Sequence, residues 1–196
     1  DCPAGTICDG NGECISQGYG VVTWGYIGGT QTSAVSSQLT DVVEIFTTDS
    51  GFAALKTDGT VVTWGAGGGN GPSSLSDVET IFSSSSSFAA LKSDGSIAYW
   101  GGNGNNFSTV SNQLTSGVTF VATNSYSMAA LKSDGSVVTW CTWNQYCSGY
   151  GADSSSVSSQ LSSGVVSITS NLYSYAALKD DGSVVTWGDS QYGGDS

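Results

Sequence analysis

The residues that could carry chemistry in this chain are few, and histidine is absent from all 196 positions. Histidine is the usual general base, so Ser-His-Asp and Cys-His catalytic arrangements are excluded. Paired carboxylates remain as candidates for glycoside hydrolysis, which needs two acidic groups at the scissile bond. The pairs are Asp180 with Asp181 and Asp77 with Glu79. Their place at turns or strands of a repeated motif explains them better, so we predict no catalytic residue, no cofactor and no enzyme activity.

The five cysteines form two groups, and we predict that they make disulfides rather than a metal site. A zinc site of cysteine and histidine is excluded, and a four-cysteine site would require the two groups to meet. Disulfides in an oxidising compartment are the simpler interpretation. One bridge would join Cys141 to Cys147 and another would join two of Cys2, Cys8 and Cys14. The fifth cysteine is then free or pairs outside the chain.

The short segment between the second and third cysteines has two explanations. Asp9–Glu13 resembles a calcium-binding loop, but Ile7 occupies the position where the first carboxylate ligand should stand. A small disulfide knot suits the segment better, and its cysteine spacing resembles the end of a growth-factor-type module. We therefore predict no bound metal.

Charge and composition limit the partners and the compartment. The net charge is −12, with four lysines and no arginine, which excludes nucleic acid because phosphate binding needs basic side chains. No apolar run approaches the roughly 20 residues of a membrane-spanning helix. Asn106 begins a glycosylation sequon, and the chain starts at Asp1 as a processed chain would. We expect a secreted, extracellular or otherwise oxidising lumenal location.

Three motifs recur in a fixed order along the chain. The first is a short β-branched run at 42–45, 78–81, 118–121 and 165–168. The second is an aromatic residue or Met followed by Ala-Ala-Leu-Lys-x-Asp-Gly, beginning at Phe52, Phe88, Met128 and Tyr175. The third is Val-Val-Thr-Trp or a close variant, ending at Trp24, Trp64, Trp100, Trp140 and Trp187. Such regular self-similarity is typical of a repeat architecture.

Each motif predicts one short strand, and together they predict an all-β fold. Val, Ile, Thr and aromatic residues favour strands, and the Asp-Gly step predicts a tight hairpin. We predict about four β-propeller-type blades of three to four antiparallel strands. Residues 1–19 form a cysteine-rich segment and residues 20–196 the repeats. The predicted units are about 21–60, 61–96, 97–136 and 137–183, with a further unit starting at 184–196.

One strand is left over in this arrangement. Five copies of the tryptophan motif face only four copies of the other two, and the extra copy is Val21–Trp24. The last residues, from Gly188, also match the run after Trp140 that leads into another blade. We expect a portion of a larger ring or array whose ends expose strand edges and apolar faces. A closed four-bladed ring is the second choice.

The ordered motifs resemble the repeat of the regulator of chromosome condensation family over about residues 21–196. The unit length is nearer to the secreted, short-repeat branch of the β-lactamase inhibitory protein type, and the Ser-rich copies resemble algal secreted repeat proteins. The resemblance implies a propeller, typically of seven blades. Such rings serve as inhibitors, exchange factors and scaffolds, so the resemblance implies little about function.

The best candidate binding site lies around the irregular segment Cys141–Cys147. A disulfide there would hold Trp143 and Tyr146 at a blade edge, and rigid exposed aromatics suit both protein and sugar binding. The predicted site residues are Trp143, Asn144, Gln145, Tyr146 and Tyr150. The alternative is that Trp143 only covers the neighbouring blade.

These patterns favour a non-catalytic module that binds a protein partner or further copies of the same repeat array. Blade loops would make the contacts, because repeat arrays present loops on one face. The alternative is a carbohydrate-binding propeller that recognises a glycan through its loop aromatics. Glycoside hydrolysis is the third and weakest hypothesis.

Overall fold

The computed structural model describes residues 6–8, 14–16, 21, 34–66, 71–102, 106–143 and 149–195. Most of these residues form four antiparallel sheets of three strands each, and helix is limited to short turns. The strands are rich in the β-branched and aromatic residues that favour a pleated backbone. The predicted all-β class and propeller-type blades are confirmed.

The strands follow the three sequence motifs in chain order. A separate N-terminal pair consists of β1 (Thr6–Cys8) and β2 (Cys14–Ser16). The first sheet holds β3 (Val42–Thr47), β4 (Gly51–Lys56) and β5 (Val61–Gly65), and the second holds β6 (Val78–Ser83), β7 (Ser87–Lys92) and β8 (Ile97–Gly101). The third sheet holds β9 (Val118–Thr123), β10 (Ser127–Lys132) and β11 (Val137–Cys141). The fourth holds β12 (Val165–Ser170), β13 (Ser174–Lys179) and β14 (Val184–Gly188).

Short helical turns lie outside the sheets. They are α1 (Phe107–Val110) and the 3-10 turns Ser36–Gln38, Ser111–Gln113, Ser155–Val157 and Ser190–Tyr192. Within the described ranges, none of these helices has the length and apolar character needed to cross a membrane.

The turn after each middle strand is fixed by an aspartate and a glycine. In the first sheet, Asp58 accepts hydrogen bonds from the backbone nitrogen of Thr60 at 3.0 Å and from its hydroxyl at 2.5 Å. Gly59 takes a φ of 75°, which a side chain would resist. The hydroxyl of Thr60 also lowers the pKa of the Asp58 carboxyl. Equivalent turns occur at Asp94, Asp134 and Asp181, where a serine hydroxyl replaces the threonine.

These glycines also join one sheet to the next. The Gly95 carbonyl accepts a hydrogen bond of 2.9 Å from the Val118 nitrogen, and the Gly135 carbonyl accepts one of 3.0 Å from the Val165 nitrogen. A Cβ atom added at either glycine would lie 2.6 Å from a backbone nitrogen of the next sheet. The Asp-Gly step therefore sets the spacing between sheets as well as the hairpin.

The hydrophobic core is divided among the interfaces between successive sheets. Between the second and third sheets, Leu91 shares a buried cluster with Met128 and Trp140. The Trp140 ring is fully buried and meets the Tyr99 ring edge-on at 6.3 Å. The first strands of successive sheets also contact each other in order. The hairpins thus bury their neighbours' apolar faces, as the repeat interpretation requires.

The N-terminal part of the chain is described only in pieces. β1 and β2 pair antiparallel, and their register places Cys8 opposite Cys14. Cys2 lies outside the described residues, so the N-terminal disulfide stays a prediction. Val21 packs against the core of the first sheet, while the rest of the leftover strand is outside the described residues. The sheets end on the tryptophan strand, whereas the predicted units begin on it.

Candidate functional site

The loops between the first and second strands lie together along one side of the described sheets. The Asp49 nitrogen in the first loop donates a 2.9 Å hydrogen bond to the Ser85 carbonyl in the second. A polar cavity of about 470 Å³ is lined by the corresponding loops of the second, third and fourth sheets. The four loops are Thr48–Ser50, Ser84–Ser86, Asn124–Tyr126 and Asn171–Tyr173.

In the third sheet this loop is built around the buried side chain of Asn124. Its Oδ1 atom accepts hydrogen bonds from the nitrogens of Tyr126 at 2.9 Å and Ser127 at 2.8 Å. Its Nδ2 atom donates to the Tyr150 carbonyl at 2.8 Å, and the Ser127 hydroxyl lies 2.6 Å from the same carbonyl. One carboxamide therefore fixes its own loop and a segment 26 residues further along the chain.

The fourth sheet repeats this arrangement with Asn171. Its Oδ1 atom accepts from the nitrogens of Tyr173 and Ser174, both at 2.8 Å. Its Nδ2 atom donates to the Tyr192 carbonyl at 2.8 Å, and the Ser174 hydroxyl lies 2.7 Å from that carbonyl. Tyr192 thus occupies the position that Tyr150 has one sheet earlier.

The two asparagine loops bring four tyrosines together, which we name the tyrosine cluster: Tyr126, Tyr150, Tyr173 and Tyr192. The Tyr150 ring centroid lies 4.9 Å from that of Tyr126 and 5.3 Å from that of Tyr173. The Tyr173 centroid lies 4.5 Å from that of Tyr192 and 6.3 Å from that of Tyr126. These distances are within the contact range of aromatic pairs, so the rings form one continuous group.

The tyrosine cluster lies at the surface. Tyr192 is 50% exposed, and the other three side chains are half-buried. Clustered tyrosines offer a large, rigid apolar area with hydroxyl groups, at a small cost in side-chain entropy. Such a surface can bind a protein through hot-spot contacts or stack against a sugar. Among the described residues, no group of three metal-ligating side chains lies here or elsewhere.

The site predicted around Cys141–Cys147 is only partly described. Trp143 is 36% exposed, so one of the predicted aromatics does reach the surface. Cys141 is fully buried and disulfide-bonded. Its predicted partner lies outside the described residues, as do three of the predicted binding residues: Asn144, Gln145, Tyr146 and Cys147.

The structure places Tyr150, the last predicted site residue, inside the tyrosine cluster and not at an isolated edge. Sequence reasoning missed its three partners, which lie in other loops. A signal was present: Asn-x-Tyr-Ser occurs at 124–127 and again at 171–174, at the same point of two successive repeats. The two earlier repeats carry Ser50 and Ser86 where these copies carry tyrosine.

The predicted glycosylation acceptor lies at the start of α1. The Asn106 side chain is half-buried, and its Oδ1 atom accepts a 2.6 Å hydrogen bond from the Thr109 hydroxyl. Its modification stays a prediction.

Comparison with known proteins identifies the repeat type. A sequence model of the Regulator of chromosome condensation (RCC1) repeat matches residues 165–193, which span the fourth sheet. The resemblance stated from the sequence is therefore confirmed for this repeat. In sequence, no curated protein matches the chain.

Solved structures with similar folds include two of yeast RCC1. Yeast RCC1 (Prp20) bound to Kap60 has 16% identity and a TM-score of 0.53, covering 79% of this chain and 45% of that chain. Prp20p from Saccharomyces cerevisiae, in a study of its binding to Gsp1p and histones, has 15% identity and a TM-score of 0.50, covering 75% and 45%. At these identities the likeness shows the fold alone, and this chain spans about half the length of the solved structures it matches.

Proposed function

We propose that this chain is a non-catalytic protein-binding module of a secreted or lumenal protein and that the tyrosine cluster is its contact surface. The observation that carries the proposal is the repeated asparagine framework, which holds four tyrosine rings at the surface of two adjacent sheets. Folding alone does not require these rings, because the first two sheets fold the same hairpin with serine in the tyrosine positions.

Several further features support binding over catalysis. The chain has no histidine, and the turn aspartates are engaged with neighbouring hydroxyls and backbone nitrogens. The similar yeast propeller is described with protein partners, namely Kap60, Gsp1p and histones. Histone-like or nucleic-acid-associated roles fit this chain poorly, since its net charge is −12.

A direct test compares the native chain with the double variant Tyr126→Ser/Tyr173→Ser, which installs the residues of the first two sheets. Immobilised chains would be exposed to concentrated extracellular protein, and bound proteins would be quantified by mass spectrometry. We expect a defined set of proteins that the double variant retains about 30-fold less, since hot-spot residues contribute about 2 kcal/mol or more.

The matched control is Val43→Ser, which removes an apolar side chain that is 58% exposed on the first sheet. This control should retain the same proteins as the native chain. Equal retention by all three chains would contradict the proposal. A glycan array bound by the native chain but not by the double variant would favour the carbohydrate-binding alternative, because tyrosine faces also stack on sugars.

A further inference from the structure

The outer face of the fourth sheet is the counterpart of faces that are buried in the earlier sheets. Leu178 is 42% exposed, whereas its equivalents Leu55, Leu91 and Leu131 are 4%, 6% and 8% exposed. In the first three sheets these leucines pack against the next sheet. Val184 on the same face is 57% exposed. Among the described residues, nothing covers this face as a further sheet would.

One part of this face forms a cavity of about 330 Å³, which we name the terminal socket. Its main lining residues are Thr169, Asn171, Ser174, Ala176, Tyr192 and Gly193. The Ser174 side chain is only 3% exposed, so its hydroxyl is a buried polar group at the edge of an open cavity.

The equivalent place one sheet earlier is filled by the side chain of Tyr175. The Tyr175 hydroxyl lies 3.0 Å from the Ser127 Oγ atom. Its ring packs so closely on Gly151 that a Cβ atom there would lie 2.5 Å from two ring carbons. Ala122 and Ala129 belong to the same buried cluster. Burial raises the pKa of Tyr175, so the phenol stays protonated and can donate to the serine.

The terminal socket repeats the main parts of that internal site. Ser174 stands in the position of Ser127 and makes the same contacts with its asparagine and with a tyrosine carbonyl. Gly193 has a φ of 89°, against 87° for Gly151. A Cβ atom at Gly193 would meet nothing within 4 Å, so the space that Tyr175 fills one sheet earlier is open here.

We propose that the terminal socket binds the tyrosine side chain of a partner protein, presented on a β-strand in which small residues follow the tyrosine. The phenol hydroxyl donates to the Ser174 Oγ atom, which has one hydrogen to give and a lone pair left to accept. The ring packs on Gly193 and Ala176. Small residues must follow because, in the internal example, the strand continues as Ala176-Ala177 and Ala177 is fully buried at the interface.

This site goes beyond the proposed function, because it lies on the face of the fourth sheet and takes an aromatic side chain instead of presenting one. It can fail while the tyrosine cluster binds, and the reverse is also true. The two proposals are therefore tested by separate variants.

The test is a titration of the full chain, labelled with ¹⁵N, with N-acetyl-L-tyrosinamide as the minimal probe. We expect saturable shifts of the Ser174, Ala176 and Gly193 amide signals. N-acetyl-L-phenylalaninamide should bind about two- to tenfold more weakly, which is the effect of losing one hydrogen bond. N-acetyl-L-alaninamide should cause no saturable shift.

A variant that fills the cavity completes the test. Ala176→Leu should abolish the response, whereas Val184→Leu, which adds bulk on the same face outside the terminal socket, should keep it. The remaining amide spectrum of each variant shows whether it has folded. The proposal is overturned if the folded native chain shows no saturable shift, if only the tyrosine cluster responds, or if Ala176→Leu binds like the native chain. Self-association that covers this face and resists the probe would also overturn it, since the occupant would then be a second copy.

Discussion

The first two sheets and the last two sheets share one scaffold but differ in a single loop. All four have the same strand order, and all four close the second hairpin with Asp-Gly. The loop after the first strand begins with Thr48 or Ser84 in the first two sheets and with Asn124 or Asn171 in the last two. Only the asparagines also donate to a tyrosine carbonyl across the loop.

The difference shows which features serve folding and which go beyond it. A hydroxyl is enough to form the loop, since the Ser84 Oγ atom accepts from the nitrogens of Ser86 and Ser87 at 3.4 and 3.2 Å. The asparagines and the tyrosines that they position are therefore additions to a working hairpin. Four variants can break or sharpen this comparison.

The largest effect is expected from the shared scaffold. Trp140→Ala removes a fully buried ring at a sheet interface and should lower the free energy of unfolding by about 3–5 kcal/mol. Urea denaturation followed by tryptophan fluorescence measures the change. A loss below about 1 kcal/mol would mean that the interfaces between sheets do not hold the fold together.

The next effect separates the two kinds of loop. Asn124→Ala leaves buried backbone groups without partners and should cost about 1–3 kcal/mol. Ser84→Ala should cost less, because the hydrogen bonds that it removes are longer. The same denaturation experiment compares them, and equal losses would contradict the special role given to asparagine.

Much of the scaffold could be predicted from the sequence, but the tyrosine cluster could not. The repeated Asp-Gly steps and tryptophans mark hairpins because local backbone chemistry decides them. Tyr126 and Tyr150 lie 24 residues apart and Tyr126 and Tyr173 lie 47 apart, so only the packing of sheets brings their rings together. Trp143 drew attention through its nearby cysteines, which is a weaker signal than the repeated Asn-x-Tyr-Ser.

A smaller effect is expected from the cluster itself. Tyr173→Ser converts a last-sheet loop to the type in the first sheets and removes three ring contacts. Because the ring is half-buried and each aromatic pair contributes about 0.5–1.5 kcal/mol at most, we expect a loss of about 1 kcal/mol in the free energy of unfolding. A loss as large as that of Trp140→Ala would make the ring a core residue.

The smallest effect is shared by both halves and depends on pH. Hydrogen bonds from Thr60, Ser96, Ser136 and Ser183 lower the pKa values of the turn aspartates. A lowered folded-state pKa gives stability that is present above the ordinary value of 3.8 and is lost as pH falls through the folded-state pKa. Thermal unfolding should show constant stability near neutral pH and a decline below about pH 4.

The control for this prediction is Asp134→Asn, which keeps an acceptor oxygen but cannot titrate. Its stability should fall less steeply with acid than that of the native chain. A steeper acid decline in the variant would show that the aspartate does not act through its charge.

The most direct test of the account is the dissociation constant of one captured protein partner for the native chain and for Tyr126→Ser/Tyr173→Ser, measured by isothermal titration calorimetry. The account predicts an affinity about 30-fold lower for the double variant while its sheets remain folded. An unchanged affinity in a folded double variant would contradict the claim that the tyrosine cluster is the binding surface.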